Sequence, residues 1–217
     1  MKINIPTKIT LARIALVVGL LVYLFVCQVL GSLGEMPDLV LGDTGIHLTY
    51  LIACVVFVVA AATDAVDGYL ARKWHQVTDL GKFLDPIADK MLVNSLLIFL
   101  CVPSTFASGQ MTIPVFCVIL MVLRDLVVDT LRFVAASKGE VVAANIFGKL
   151  KTVFQMVAIP VCLLNGFPLS YLGGPALYDG AHILIYLATL MSLVSGVIYV
   201  VENRHVLKEK EAPHAEN

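Results

Sequence analysis

The sequence predicts an all-α integral membrane protein, a bundle of about six transmembrane helices, on three observations. Hydrophobic residues make up 59% of the 217 and charged residues only 14%, with a mean hydropathy of +0.90, a composition suited to lipid. The apolar residues gather into runs near 7–30, 48–72, 82–102, 112–137, 146–168 and 180–203, each close to the ~20 residues that cross a bilayer. The runs do not alternate, and in hydrocarbon the backbone must satisfy its own hydrogen bonds, so they read as helices and not as barrel strands.

The first run follows a short polar start, Met1 to Pro6. It contains Ala12 and Arg13, is long beyond Arg13, and is followed by no clear small-residue cleavage site, so it reads as a retained helix and not a secretory signal. The second ends, and the third begins, in acidic sequence, with a turn of about ten residues between them. Arg124 and Arg132 lie in the fourth, and Lys149 and Lys151 open the fifth. After the sixth, "KEKEAPHAEN" is polar and Pro-interrupted, a solvated tail from about residue 205. No linker or repeat divides the chain, which reads as one transmembrane domain, 1–217. Cys27, Cys54, Cys101, Cys117 and Cys162 are odd in number and all within apolar runs, as expected of small buried hydrophobes rather than disulfides or a metal site. His47, His75, His182, His205 and His214 read as interfacial residues. Nothing resembles a nucleic-acid patch.

Positive charge sets the orientation, because cytoplasmic loops carry excess Lys and Arg. With the amino terminus inside, all 15 Lys and Arg fall on or near the inner side or on the inward-running fourth helix. The outer loops, 31–47, 103–111 and 169–179, hold Glu35, Asp38, Asp43 and Asp179 but no Lys or Arg. Both termini are expected in the cytoplasm.

The acids face the same side. Asp64 and Asp67, three residues apart, share a face near the end of the second helix, and Asp85 and Asp89, four apart, share one at the start of the third. Across a short turn the two faces meet, and unneutralised carboxylates there would repel one another at the membrane boundary. Divalent cations resolve the conflict: oxygen ligands suit Mg²⁺ or Mn²⁺, and two such ions clamp phosphate oxygens. "DPIAD" also fits a plain helix start, with Asp85 as N-cap and Pro86 at the first helical position. That alternative leaves Asp64 and Asp67 unexplained near a helix C-terminus, where the dipole disfavours acids. Gly68, Ala71 and Gly81 serve close helix packing, and also let a bulky substrate such as a nucleotide approach the backbone. Arg72 suits either an interfacial anchor or a diphosphate contact.

These residues carry a resemblance. Asp64-x-x-Asp67-Gly68-x-x-Ala71-Arg72, eight residues, then Gly81-x-x-x-Asp85-x-x-x-Asp89 resembles the whole signature of the CDP-alcohol phosphotransferases, integral membrane enzymes of phospholipid synthesis. The resemblance implies two divalent ions held by Asp64, Asp67, Asp85 and Asp89, with Asp89 as catalytic base and the CDP moiety against the glycine-bearing segment. Within the family, "NIPTKITLARI", "LRDLVVDTLR" and "IFGKLKTVFQM" are similar to the phosphatidylglycerophosphate synthase branch. Thr10 and Arg13 match that branch and place Thr10 with the diphosphate contacts, whereas Thr7 departs from its usual Asn.

The resemblance implies CDP-diacylglycerol as donor, a membrane lipid, and a bacterial plasma membrane location with the site open to the cytoplasm. Glycerol 3-phosphate, the acceptor of that branch, is dianionic and needs cations. Arg124 lies well inside an apolar run, where an Arg defaults to function, and Arg132 returns to nearly the same face about two turns on. With Lys149 and Lys151 they are the expected acceptor-phosphate ligands; the structural alternatives are a pair with Asp125 for Arg124 and interfacial anchoring for the lysines. Two other functions stay open: the same chemistry with phosphatidylglycerol, serine or an inositol phosphate as acceptor, or a divalent-cation pathway in a transporter. The scattered Ala and Gly residues define no dimer seam, which leaves a homodimer open.

Overall fold

The computed structural model describes residues 4–37, 39–74, 78–139, 146–169 and 175–204, with backbone alone for residues 43, 65, 67, 70–72, 79, 82 and 175–179. Six long helices account for most of them: α1 (Ile5–Ser32), α2 (Leu48–Lys73), α3 (Asp79–Leu100), α4 (Val115–Ser137), α5 (Ile146–Leu163) and α6 (Pro175–Glu202). A short 3₁₀ turn, Gly42–Thr44, precedes α2. No strand is present among the described residues beyond an isolated bridge between Val40 and His47. By length and composition, α1, α5 and residues 180–202 of α6 are apolar enough to cross a membrane, and Leu48–Asp64 of α2 forms a shorter apolar helix. The tail from residue 205, with His205 and His214, and also His75, lie outside the described residues.

The side chains divide in the sense that lipid imposes. Large apolar residues are exposed on every helix, including Phe25 on α1, Val55 on α2, Ile98 on α3, Phe116 on α4, Val153 on α5 and Val197 on α6, as expected where the surrounding solvent is hydrocarbon. Inside, Leu24, Phe57, Leu92, Leu96, Met121, Ile159 and Ile185 pack in one core. α1 lies against α2 and α3, α5 against α2, α3 and α6, and α4 against α3 and α6. All five cysteines are free, and four of them are buried, in line with their expected role as small hydrophobes.

Two helix ends differ from expectation for physical reasons. α3 begins at Asp79, capped by Thr78, whose Oγ1 accepts the Gly81 N–H at 3.0 Å. Pro86 therefore lies inside the helix, which removes the alternative in which Asp85 is merely an N-cap, and Asp85 and Asp89 project from the second and third turns. α5 stops at Leu163 and not near 168, because Asn165 (φ 54°) and Gly166 (φ 83°) turn the chain left-handed. Asn165 then ties this end of the bundle together, its Oδ1 accepting from Met111 N–H at 2.9 Å and its Nδ2 donating to Gly45 O at 3.1 Å. At the same end, His182 Nε2 meets Thr112 O at 3.0 Å and Gln28 Nε2 donates to Pro103 O at 2.8 Å.

The opposite end is charged. The helices alternate in direction, so the starts of α1, α3 and α5 meet the ends of α2, α4 and α6. Arg13 reaches Asp64, Lys90 reaches Asp129, Lys151 reaches Asp125 and Arg124 reaches Ser195. That gathering of ionised groups at one pole is what positions the site.

Candidate active site

The charged pole has two neighbouring parts. The first is built by α1, α2 and α3. Arg13, only 3% exposed, donates from Nη1 to Asp64 Oδ1, and Thr10 Oγ1 shares its one proton between Asp85 Oδ1 at 2.9 Å and Pro6 O at 3.2 Å. Each acid is thus held through one oxygen, and Oδ2 of each has no partner among the described residues. Thr7 forms a 2.9 Å hydrogen bond with the Thr78 hydroxyl, so it joins α1 to the cap of α3. Gly81 sits beside this junction: a Cβ there would come within 3.1 Å of Thr78 Oγ1 and 3.5 Å of Thr7 Oγ1, which gives the glycine a packing reason for being small. Gly68 is half-buried on α2, while the side chains of Asp67, Ala71 and Arg72 lie outside the described residues. Among the described residues no three His, Cys, Asp or Glu side chains group as metal ligands.

The second part is a cavity of about 240 Å³ between α3, α4, α5 and α6. Its walls include Asp89 together with all four expected cations, Arg124, Arg132, Lys149 and Lys151. Asp89 has no hydrogen-bond partner among the described residues, yet lies within electrostatic range of Asp64, Arg13, Lys151 and Lys90. It therefore belongs to both parts of the pole. Next to it an apolar groove of about 770 Å³ opens between α3 and α4, lined by Phe83, Pro86, Ile87 and Phe133 and reaching Asp89, Lys90 and Arg132.

The cations are held differently from one another. Lys151, 5% exposed, donates to both Asp125 oxygens at 2.5 Å. Arg124 donates from Nη1 to Asp125 Oδ1 at 3.0 Å and from Nη2 to Ser195 Oγ at 2.5 Å. The pairing with Asp125 raised as a structural alternative is therefore present, and Asp125 is shared with Lys151. Arg132 donates from Nε to Tyr199 Oη at 3.0 Å, with its guanidinium 5.3 Å from the centre of that ring. Lys149 is exposed. Ser195 and Tyr199 as holders of Arg124 and Arg132, and Asp125 as the partner of Lys151, escaped the sequence, since nothing in a helical period says which helices face α4.

Arg124 also needs room. A Cβ at Gly196 would lie 2.7 Å from Arg124 Cγ, and one at Gly148 would lie 3.6 Å from its Nη2. Gly196→Ala is expected to destabilise the protein by about 1–3 kcal/mol, the usual cost of overpacking, read as a lower melting temperature in detergent. Gly19→Ala, where nothing lies within 4 Å, is the control and should melt near wild type.

A membrane-embedded helical bundle with acids and cations converging at one pole defines a class: an enzyme that handles phosphate groups at the lipid boundary. Comparison with known proteins gives the family. The model of the CDP-alcohol phosphatidyltransferase family matches residues 3–200, and the chain belongs to that family. It is 40% identical to the CDP-diacylglycerol–glycerol-3-phosphate 3-phosphatidyltransferase of Bacillus subtilis, over 94% of this chain and 97% of that protein. The protein of the same name from Mycoplasma pneumoniae is 37% identical over 95% of this chain and 90% of its own length. That from Escherichia coli is also 37% identical, over 73% of this chain and 76% of its own.

Proposed function

We propose that the protein transfers a phosphatidyl group from CDP-diacylglycerol to glycerol 3-phosphate, giving phosphatidylglycerophosphate and CMP. The observation that carries this reading is the single cavity in which Arg124, Arg132, Lys149 and Lys151 stand around Asp89. A dianionic phosphate in a partly dry site calls for charge-assisted hydrogen bonds, and the hydroxyl at the far end of a three-carbon chain must then find a base nearby. The names of the similar proteins agree with this donor and this acceptor. Family membership also replaces the cation-transport alternative.

Asp89 takes the proton from the terminal hydroxyl of glycerol 3-phosphate. The freed oxygen bonds to the β-phosphorus of CDP-diacylglycerol as the bond from that phosphorus to the CMP oxygen breaks. A carboxylate without a protein hydrogen bond can lend one oxygen to a metal ion and keep the other for the incoming proton, and such a base supplies roughly 10²–10⁴-fold. Thr10, Gly68, Ala71, Arg72 and Gly81 would border the diphosphate. The apolar groove beside Asp89 suits the donor's acyl chains, which stay among lipid-facing side chains while the headgroup meets the polar cavity.

The donor set fits two Mg²⁺ or Mn²⁺ ions: Asp64, Asp67, Asp85 and Asp89 supply hard oxygens alone, and Arg13 and Thr10 each steady a carboxylate through Oδ1 with Oδ2 left over. When bound, such ions neutralise the diphosphate and the charge that grows on the leaving oxygen. Asp64→Asn and Asp67→Asn are expected to raise the metal concentration for half-maximal activity by about tenfold or more, and to weaken CDP-diacylglycerol binding with it, each lost ligand costing over ~1.4 kcal/mol. An unchanged metal titration in both variants would remove these acids from the ligand set.

We also read residues 1–217 as one catalytic domain that crosses a bacterial plasma membrane six times, with both termini and the charged pole in the cytoplasm. The deciding experiment is CMP release by the purified protein from CDP-diacylglycerol with glycerol 3-phosphate, phosphatidylglycerol, serine or inositol phosphate. Glycerol 3-phosphate should be the efficient acceptor. Preference for another acceptor would overturn the assignment.

A further inference from the structure

The cavity walls hold a polar group that the phosphate and base roles leave unused. Gln155 on α5 is 3% exposed and lines the cavity. It stands four residues, about one turn, beyond Lys151 on the same helix face. Its Nε2 donates to Met121 Sδ at 3.3 Å, a weak acceptor, and its Oε1 has no hydrogen-bond partner among the described residues. That oxygen is not among the fully buried unpaired atoms, so it opens onto the cavity, where a ligand hydroxyl can meet it. A Leu or Met would pack against Met121 but offer the cavity no acceptor. The other carboxamide of the cavity, Asn94, is only half-buried and can be served by water.

Glycerol 3-phosphate has three polar features. Its phosphate is matched by the cations and its reacting hydroxyl by Asp89, which leaves the hydroxyl on the middle carbon. We propose that Gln155 is a specificity-determining residue whose amide oxygen accepts the hydrogen bond of that middle hydroxyl. The inference rests on glycerol 3-phosphate being the acceptor. It adds that the cavity reads the uncharged part of the molecule as well as its phosphate. A site built around a buried hydrogen bond rejects an analogue that lacks the group, because the protein atom is then left unpaired.

The test compares glycerol 3-phosphate with 3-hydroxypropyl phosphate, which keeps the phosphate and the terminal hydroxyl and lacks the middle one. kcat/KM is measured for both acceptors, with CDP-diacylglycerol saturating, on wild type, Gln155→Leu and Gln155→Met. Because both acceptors are run on one preparation, any loss of folded enzyme cancels from their ratio. Wild type should prefer glycerol 3-phosphate by roughly 3- to 15-fold, the range for one uncharged hydrogen bond. Both variants should bring the ratio to within about twofold of unity by lowering the glycerol 3-phosphate value alone. A wild type that does not distinguish the two acceptors, or variants that keep its preference, would overturn the role of Gln155 while leaving the proposed reaction intact. A wild type that uses neither, yet transfers to another alcohol, would instead overturn the acceptor assignment and this inference with it.

Discussion

Asp89→Asn is expected to lower turnover by at least about 10²- to 10⁴-fold, the contribution of a general base, while CDP-diacylglycerol still binds. The substitution is well suited to this question because Asp89 has no hydrogen-bond partner among the described residues. Replacing one carboxylate oxygen by an amide nitrogen therefore breaks no described protein contact and nearly preserves shape. What it removes is a proton acceptor at the wall shared by the cation-lined cavity and the apolar groove. Donor binding and single-turnover CMP release, measured on the same variant, separate loss of the base from loss of the substrate. Turnover like that of wild type would remove Asp89 from its assigned role.

The second large effect concerns the acceptor. Arg124→Gln and Lys151→Met should each raise the KM for glycerol 3-phosphate by roughly 10- to 150-fold, the worth of a charge-assisted hydrogen bond at about 1.5–3 kcal/mol, with the KM for CDP-diacylglycerol little changed. Arg132→Gln should follow in the same direction. Lys149→Met should do least, because that lysine is exposed and is already well solvated. The Lys151 variant carries a complication that follows from its surroundings. Its ammonium sits on both oxygens of Asp125 at 2.5 Å, and its removal leaves that carboxylate only Arg124 at 3.0 Å, so part of the ~3–5 kcal/mol cost of breaking a buried pair is expected. Asp125→Asn in the Lys151→Met background should recover part of the lost stability without recovering acceptor affinity, which separates folding from binding. If all four single variants leave the acceptor KM within about twofold of wild type, too small a change for a lost charged contact, the phosphate pocket lies elsewhere.

Much of this molecule follows from one-dimensional pattern. Long apolar runs become helices because lipid offers the backbone no other partner. The absence of Lys and Arg from 31–47, 103–111 and 169–179 gathers the positive residues at one pole, and contacts from Arg13–Asp64 to Arg124–Ser195 lie there. Helical spacing puts Asp85 and Asp89, four residues apart, on one face whatever surrounds them. Even so, a local pattern offered a rival start for α3. "DPIAD" has the form of a helix beginning, but Thr78 caps the chain seven residues before Asp85. The run 146–168 likewise overstates the length of α5, because the Asn165–Gly166 pair turns the chain left-handed inside it and outweighs the apolar residues that run past it.

By itself, the sequence determined the helical class, the charged pole and the spacing of the acids, because each depends on composition or on the period of a single helix. Only the tertiary structure decided which side chains from different helices meet. Ser195 and Tyr199 on α6 hold Arg124 and Arg132 on α4, and Gly196 clears the path of the Arg124 side chain. Asp125 is shared between α4 and α5, and Gln155 shares one cavity with Asp89 on α3. The rotation of each helix about its axis, and the neighbour it faces, are set by side-chain packing across the bundle, where lipid and protein interior are equally apolar. Hydropathy is blind to that choice.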